Sequence, residues 1–181
     1  MTDQDLAHLT TARLLLRRPT SLDLPRFYEI YGDPQTNLFN PAGPIPSLEA
    51  ARVKFEHKLL HWQSHGHGTW AVALLGAPED VIGFGGLAGL HFGETERTNL
   101  GFRFATSAWG SGYASELAAA SVEVARDRLH LDEIWATARE SHSASRRVLE
   151  KIGMQRIAVK PDPRGVPASV WYRLTLRDGG G

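Results

Sequence analysis

Residues 109–115 read WGSGYAS and lie between an alternating run at 98–104 (TNLGFRF) and an alanine-rich run at 116–129 (ELAAASVEVARDRL). The first run has the two-residue period of a strand, and the second has the spacing of a helix. Two glycines therefore stand where a helix begins. Glycine suits a tight turn, and the N–H groups at a helix start can also hold an anion. This stretch alone leaves both interpretations open.

Working outward, the chain alternates strand-like and helix-like segments. Strands are predicted at 13–18, 69–75, 80–90, 98–104, 133–138, 154–160 and 169–176, and helices at 21–33, 47–63, 118–129 and 143–152. Short connectors between the three central strands favour an antiparallel meander. The order predicts an α+β fold with one parallel β-α-β step across the glycine loop. Residues 1–10 are expected to be a loose lead, 11–176 a single domain and 177–181 a disordered tail.

Composition excludes several classes of function. Twenty acidic and twenty basic residues cancel, so neither nucleic acid nor a membrane surface is expected as a partner, and any anionic ligand needs a local site. The absence of cysteine excludes disulfides, thiolate zinc sites and a cysteine nucleophile. His57 and His61 have metal-ligand spacing but lie opposite the apolar helical stripe, so no metal is predicted. No signal peptide or spanning segment is evident, which favours a cytoplasmic protein.

Two common nucleotide fingerprints do not fit the glycine loop. A P-loop requires a lysine directly after its last glycine, and none follows either glycine here. A dinucleotide fingerprint requires a third glycine, where this chain has Ser115, and it normally opens a repeated βαβ series. The loop here follows a meander instead. An NAD- or ATP-dependent enzyme is therefore disfavoured.

A third pattern matches better. WGSGYASE (109–116), followed by SHSASRRVLEKIGM (141–154), resembles the GNAT acetyltransferase superfamily, and in particular its RimJ/RimL-type ribosomal-protein N-terminal acetyltransferases. The opening TARLLLRRPTSLDLPRF (11–27) is similar to the usual start of that branch, and the resemblance extends over about residues 10–176. It implies a GNAT fold, with a mixed, mostly antiparallel central sheet of about seven strands. Flanking helices and a splayed parallel pair, here 98–104 and 133–138, complete that fold.

The resemblance also implies acetyl-CoA as the acyl donor and assigns residues to it. The backbone at Phe102, Arg103 and Phe104 would face the pantetheine arm. The pyrophosphate would be wrapped by Trp109, Gly110, Ser111, Gly112, Tyr113 and Ala114. Backbone N–H groups can hold such a dianion without side-chain charge, which suits a chain of zero net charge.

The chain departs from the family pattern at two positions. Where the family often carries a glutamate that acts as general base through water, this chain has Asn99, which cannot accept a proton. The nearest carboxylates, Glu94 and Glu96, are expected in the GETE turn (93–96), where both could also be merely solvated. His142 replaces the asparagine of the later motif. It is a candidate for cofactor contact, for capping or for the base.

Ser145 falls on the serine of the later motif. It could bond the pantetheine, help protonate the departing thiolate, or merely support the helix cap. With a weak base, an amine of low pKa is favoured as acceptor, either a peptide N-terminus or a small-molecule amine. The expected activity is direct N-acetylation in a ternary complex. The alternative is a catalytically weak acyl-CoA sensor. Homodimers are common in the superfamily, and nothing else in the residues indicates one.

Overall fold

The computed structural model describes residues 6–161 and 167–177 of the chain. Its strands are β1 His8–Thr10, β2 Leu14–Arg17, β3 Thr69–Leu74, β4 Ala77–Phe92, β5 Thr95–Phe104, β6 Glu133–Arg139, β7 Gln155–Lys160 and β8 Ser169–Thr175. Its α-helices are α1 Leu24–Gly32, α2 Leu48–His65, α3 Tyr113–Glu123 and α4 Ser143–Lys151. No helix in these residues is long and apolar enough to cross a bilayer. Residues 1–5, most of the predicted PDPRGVP turn (161–167) and 178–181 of the predicted tail lie outside the described residues.

The strands follow the order β1-β2-β3-β4-β5-β6-β8-β7. This confirms the predicted α+β class and the mostly antiparallel sheet with one parallel pair, β5 and β6. In that pair Asn99 lies opposite Trp135. The described sheet has eight strands rather than about seven because His8–Thr10, expected to be part of a loose lead, pairs antiparallel with β2.

The chain divides into two compact units. The first comprises Met1–Gly86 and Phe102–Tyr113, and the second comprises Leu87–Gly101 and Ala114–Gly181. The division falls within β4, within β5 and at the start of α3.

An aromatic core holds the first unit together. The ring of Phe27 on α1 lies 4.9 Å from that of Phe55 on α2 and 5.4 Å from that of Phe84 on β4. All three side chains are almost fully buried. Helix α2 begins where Ser47 Oγ accepts a hydrogen bond from the Ala50 N–H, as an N-cap does. These contacts fix α1 and α2 against the inner strands.

The second unit is built on the antiparallel ladder of β6, β8 and β7. Side chains alternate along these strands, so Ile134 and Ala136 of β6 and Val170 and Tyr172 of β8 are fully buried. Tyr172 Oη accepts a hydrogen bond from Arg146 Nε on α4 at 3.1 Å. Helix α4 ends at Lys151, and Gly153 with φ of +90° forms its C-terminal turn.

Candidate active site

The WGSGYAS loop leads from β5 into α3, and its residues 109–113 belong to the first unit. Gly110 and Gly112 both have left-handed backbones, with φ of +77° and +81°, so each glycine is required by the turn itself. The N–H groups of Gly110, Ser111 and Gly112 donate to no other group in residues 6–161 or 167–177. These three donors are exposed directly before a helix start, where the helix dipole also favours an anion. The same loop can therefore serve both as a tight turn and as a site for an anion.

Arg13, which the sequence indicated only as the start of a strand, adds a positive charge to this loop. Its Nη1 donates to the carbonyl oxygen of Ser111 at 2.9 Å, and its guanidinium lies 4.7 Å from the ring centre of Tyr113. A Cβ placed on Gly112 would lie 3.5 Å from Arg13 Nη2. The only available signal was the RL pair that opens the apolar strand. Nothing in that pair reveals a contact nearly a hundred residues away.

Trp109 closes the strand end of the loop. Its indole is half exposed, and Nε1 donates to the Phe104 carbonyl at 3.1 Å. That carbonyl is therefore already engaged within the protein. Of the backbone groups predicted to face the pantetheine, those of Phe102 and Arg103 remain the better candidates.

The Arg103 side chain has a role that the sequence did not indicate. It runs from β5 to the short 3-10 turn Gln35–Asn37, where Nη1 donates to Asn37 Oδ1 at 2.6 Å. Its guanidinium also lies 4.5 Å from the ring centre of Tyr31 on α1. Burial lowers the pKa of Arg103, although the group remains charged. The charged guanidinium of Arg103 is therefore held between Asn37 and the ring of Tyr31.

Asn99 lies in the second unit, at the parallel pairing of β5 with β6. Its Oδ1 is buried and accepts no hydrogen bond from any described residue. A Cβ on Gly101 would approach its Nδ2 to 3.2 Å, so the glycine leaves room for this amide. Buried polar atoms are normally paired, and an unpaired one calls for a functional explanation. Asn99 therefore presents a buried acceptor where the family often has a base.

His142 and Ser145 lie together in the second unit. Ser145 Oγ is 3.0 Å from His142 Nδ1 and 3.3 Å from Nε2, and both residues are partly buried. His142 is the residue before α4, but its side chain makes no cap hydrogen bond, which contradicts the capping interpretation of that imidazole. Ser143 is the first residue of α4. A histidine beside a hydroxyl can exchange protons with it.

Glu96 differs from its predicted setting. It lies inside β5 rather than in the predicted turn at 93–96, and only Gly93 and Glu94 connect β4 to β5. Its carboxylate is exposed and lies over Gly89. Glu96 and Asn99 are three positions apart along the strand, and this odd spacing places the two side chains on opposite faces of β5. The structure therefore does not bring Glu96 beside Asn99.

The histidines near the end of α2 form a separate group. His57 is exposed, whereas the rings of His61 and His65 stack with centres 4.2 Å apart. Parallel stacked rings do not direct their nitrogen lone pairs toward one point, as a metal requires. No group of three or more metal-ligating side chains suited to an ion occurs in residues 6–161 and 167–177.

The fold and these residues define a class of protein. Residues 13–155 match the family model described as Acetyltransferase (GNAT) domain, so the chain belongs to the GNAT family and is an acetyltransferase. It is similar to YnaD of Bacillus subtilis, an uncharacterized N-acetyltransferase, with 29% identity over 149 residues that cover 82% of this chain and 83% of YnaD.

Solved structures agree with that assignment. An acetyltransferase from Agrobacterium tumefaciens is 28% identical, with a TM-score of 0.75 over 92% of this chain and 93% of that one. RimL, a ribosomal-protein alpha-N-acetyltransferase solved in complex with coenzyme A, is 14% identical, with a TM-score of 0.72 over 93% of this chain and 97% of RimL. At this identity the likeness to RimL shows a shared fold.

Proposed function

We propose that this acetyltransferase uses acetyl-CoA to acetylate a primary amine, either a peptide or protein N-terminus or a small-molecule amine, by direct attack. Acetyl-CoA supplies a thioester-activated acetyl group, which moves to the amine nitrogen as the C–S bond breaks. The amine loses one proton and the departing thiolate gains one. The observation that carries the proposal is the WGSGYAS loop, where three N–H groups donate to no described residue and a cation lies beside them.

The loop fits the pyrophosphate of coenzyme A. Backbone donors at Gly110, Ser111 and Gly112 bind phosphate oxygens, and the first-turn N–H groups of Tyr113 and Ala114 add further donors. Trp109 closes the loop, and Arg13 contributes the charge that the neutral backbone lacks. The residues proposed for the pantetheine arm are Phe102, Arg103, Phe104, His142 and Ser145.

Ser145 is proposed as the proton donor to the departing thiolate. Its hydroxyl lies within hydrogen-bond distance of His142, which orients it and can replace its proton. Replacing Ser145 by alanine should lower kcat roughly hundredfold while leaving the Kd of coenzyme A nearly unchanged. Steady-state kinetics together with calorimetric binding of CoA would separate these two effects. A large loss of CoA affinity would instead assign Ser145 to cofactor binding.

The proton on the amine has no carboxylate at the usual family position. Asn99 Oδ1 can accept a hydrogen bond from the amine and orient it, but it cannot remove the proton. An α-amine has a pKa about 2.5 units below that of a lysine, which corresponds to about 3.4 kcal/mol less deprotonation cost. This favours an α-amine or a weakly basic small amine as acceptor. Glu96 and His142 remain candidate bases, to be tested by Glu96→Gln and His142→Gln.

Asn99 also supports a second candidate function, an acyl-CoA-binding or sensor domain with weak catalysis. Thiol release from acetyl-CoA, measured with a panel of peptides and small amines, tests both. Turnover with any amine supports the enzyme. Tight CoA binding with no turnover for every amine would support the sensor and contradict the proposed transfer.

A further inference from the structure

Two cations meet at one aromatic ring in the first unit. The Arg103 guanidinium lies 4.5 Å from the ring centre of Tyr31, and Lys58 Nζ lies 6.0 Å from the same centre. Lys58 Nζ also lies 3.4 Å from Thr69 Oγ1, a long hydrogen bond. We call Arg103 and Lys58 the cation pair. They come from β5 and α2, so the fold rather than a local sequence motif brings them together.

No acidic side chain of the described residues balances this pair. Within residues 6–161 and 167–177, neither Arg103 nor Lys58 has a carboxylate within 4.0 Å, although many of the other arginines there form ion pairs. Both side chains are partly buried, which raises the cost of carrying charge. Burial, followed by the nearby positive charges of Arg103 and Lys54, lowers the pKa of Lys58 to about 8. Two neighbouring, partly buried cations without a counter-ion are unusual for a purely structural arrangement.

Most of the donors of the cation pair are unused by the part of the chain that the structure describes. Arg103 has five N–H donors and directs one of them to Asn37, and Lys58 makes one long bond with its three. The position of Asn37 Oδ1, which accepts from Arg103, is fixed because the Nδ2 of the same amide donates to the Tyr31 carbonyl at 2.9 Å and to the Asp33 carbonyl at 2.8 Å. The guanidinium is thus held in one orientation, and its other donors make no hydrogen bond to a described residue.

We propose that the cation pair binds an anionic group, a carboxylate or a phosphate, on the acceptor amine. This inference rests on the proposed acetyl transfer. The Arg103 backbone belongs to the segment proposed to face the acyl arm, so its side chain carries a positive charge within one side-chain length of that segment. An acceptor that brings its own anion would neutralise both cations and use their unused donors. The acceptor is therefore an amine with a negative charge rather than a polyamine.

The alternative is that Tyr31 and Asn37 hold the two cations for packing alone. Cation–π contact with the ring stabilises Arg103, so the arrangement could exist without a ligand. The two explanations differ in what they predict for the acceptor. A packing role leaves the choice of acceptor independent of Lys58.

Matched acceptors and a matched variant separate the two explanations. The acceptors are glycylglycine against glycylglycinamide, an aspartate-led against an asparagine-led peptide amide, aminoethylphosphonate, and spermidine as the cationic amine. We expect kcat/KM for at least one anionic acceptor to exceed that of its neutral counterpart or spermidine by roughly ten- to hundredfold. The dipeptide and the aspartate peptide report on carboxylates in different positions, and the phosphonate reports on phosphate.

The variant Lys58→Met should remove most of this preference, chiefly through a higher KM for the anionic acceptor. Lys54→Met is the control, because Lys54 is exposed one turn earlier on α2 and its loss changes the net charge equally. It should keep the preference. Equal kcat/KM values across every matched pair, or a preference that survives Lys58→Met, would overturn the cation-pair proposal.

A binding measurement keeps the test independent of turnover. With coenzyme A at saturation, so that the loop at 109–113 is occupied, glutarate and inorganic phosphate at equal ionic strength should raise the Tm of the wild type and of Lys54→Met but not of Lys58→Met. Anion-dependent stabilisation without acetylation of any amine would contradict the proposed transfer and leave the cation pair standing. Acetylation of neutral and cationic amines without a Lys58-dependent anion effect would support the proposed acetyl transfer and contradict the cation-pair proposal.

Discussion

The first unit contains two arrangements that we propose as anion sites, and they are built by opposite means. The loop at 109–113 uses three backbone N–H groups, and its nearby side-chain cation, Arg13, is exposed. The cation pair, Arg103 and Lys58, uses two partly buried side-chain charges on the ring of Tyr31. Backbone donors carry no desolvation cost of a full charge, whereas buried cations do. The loop can therefore stand ready without ligand, whereas the anion that we propose for the cation pair would stabilise that pair on binding.

Substitution at Gly112 should have the largest effect of all. Gly112→Asp forces a side chain into a backbone with φ of +81° beside Arg13, and it places a carboxylate where phosphate is expected. The affinity for acetyl-CoA should fall roughly hundredfold or more, since repulsion replaces charge-assisted hydrogen bonds. Calorimetric titration with CoA would measure the loss.

The control for that variant is Gly43→Asp. Gly43 also has a left-handed backbone, with φ of +70°, and open space around its Cβ. It should show the backbone strain without the loss of CoA affinity. A folded Gly112→Asp protein that binds CoA as the wild type does would refute the loop as the pyrophosphate site.

The pH dependence of stability distinguishes the cation pair from the loop. Lys58 faces Tyr31 on α1, Arg103 on β5, Lys54 on α2 and the hydroxyl of Thr69 on β3. Its pKa is about 8 in the folded protein and ordinarily 10.5. Between these values the unfolded chain binds more protons than the folded one, so stability should rise as the pH increases from about 8 to 10.5. Lys58→Met should abolish that rise and stabilise the protein at pH 7 by on the order of 3 kcal/mol.

Urea unfolding of the wild type and of Lys58→Met at pH 7, 9 and 10 would measure the difference. Lys54→Met should retain the slope. The opposite sign, a wild type that loses stability relative to Lys58→Met as the pH rises through this window, would show that Lys58 is already paired with an anion in the folded chain.

Most of the fold could be predicted because its signals are local. Alternation and helical spacing located the helices and nearly all strands, and the composition of the loop indicated its turn. The strand His8–Thr10 was missed because three residues are too short to show a period. Glu96 was assigned to the wrong setting because the GETE segment contains turn residues, whereas the hairpin needs only Gly93 and Glu94 to close.

The two proposed anion sites also differ in whether the sequence signal for them is local. The loop is contiguous in sequence and resembles a known motif, so its residues alone predict it. The cation pair depends on Tyr31, Asn37, Lys58 and Arg103, which only tertiary packing brings together. One signal was present: Lys58 lies on the buried stripe of α2, three residues after Phe55 and four before Trp62. A lysine on an apolar stripe indicates a function or a partner, but not which one.

Substitution of Arg13 should have the smallest effect on acetyl-CoA affinity, and it tests most directly whether the loop binds through its backbone or through side-chain charge. If backbone donors carry most of the binding, Arg13→Met should weaken acetyl-CoA binding only about five- to tenfold. The exposed charge is screened by salt, so the dependence of the CoA affinity on ionic strength should also become shallower. Arg18→Met is the matched control, because Arg18 is likewise exposed and adjoins the other end of β2.

The salt dependence decides what Arg13 contributes. Loss of affinity with an unchanged salt slope would mean that Arg13 acts by shaping the loop through Ser111 and Tyr113 rather than by charge. A loss as large as that of Gly112→Asp would contradict the backbone account. The loop would then bind by side-chain charge, as the cation pair does, and differ from it only in exposure.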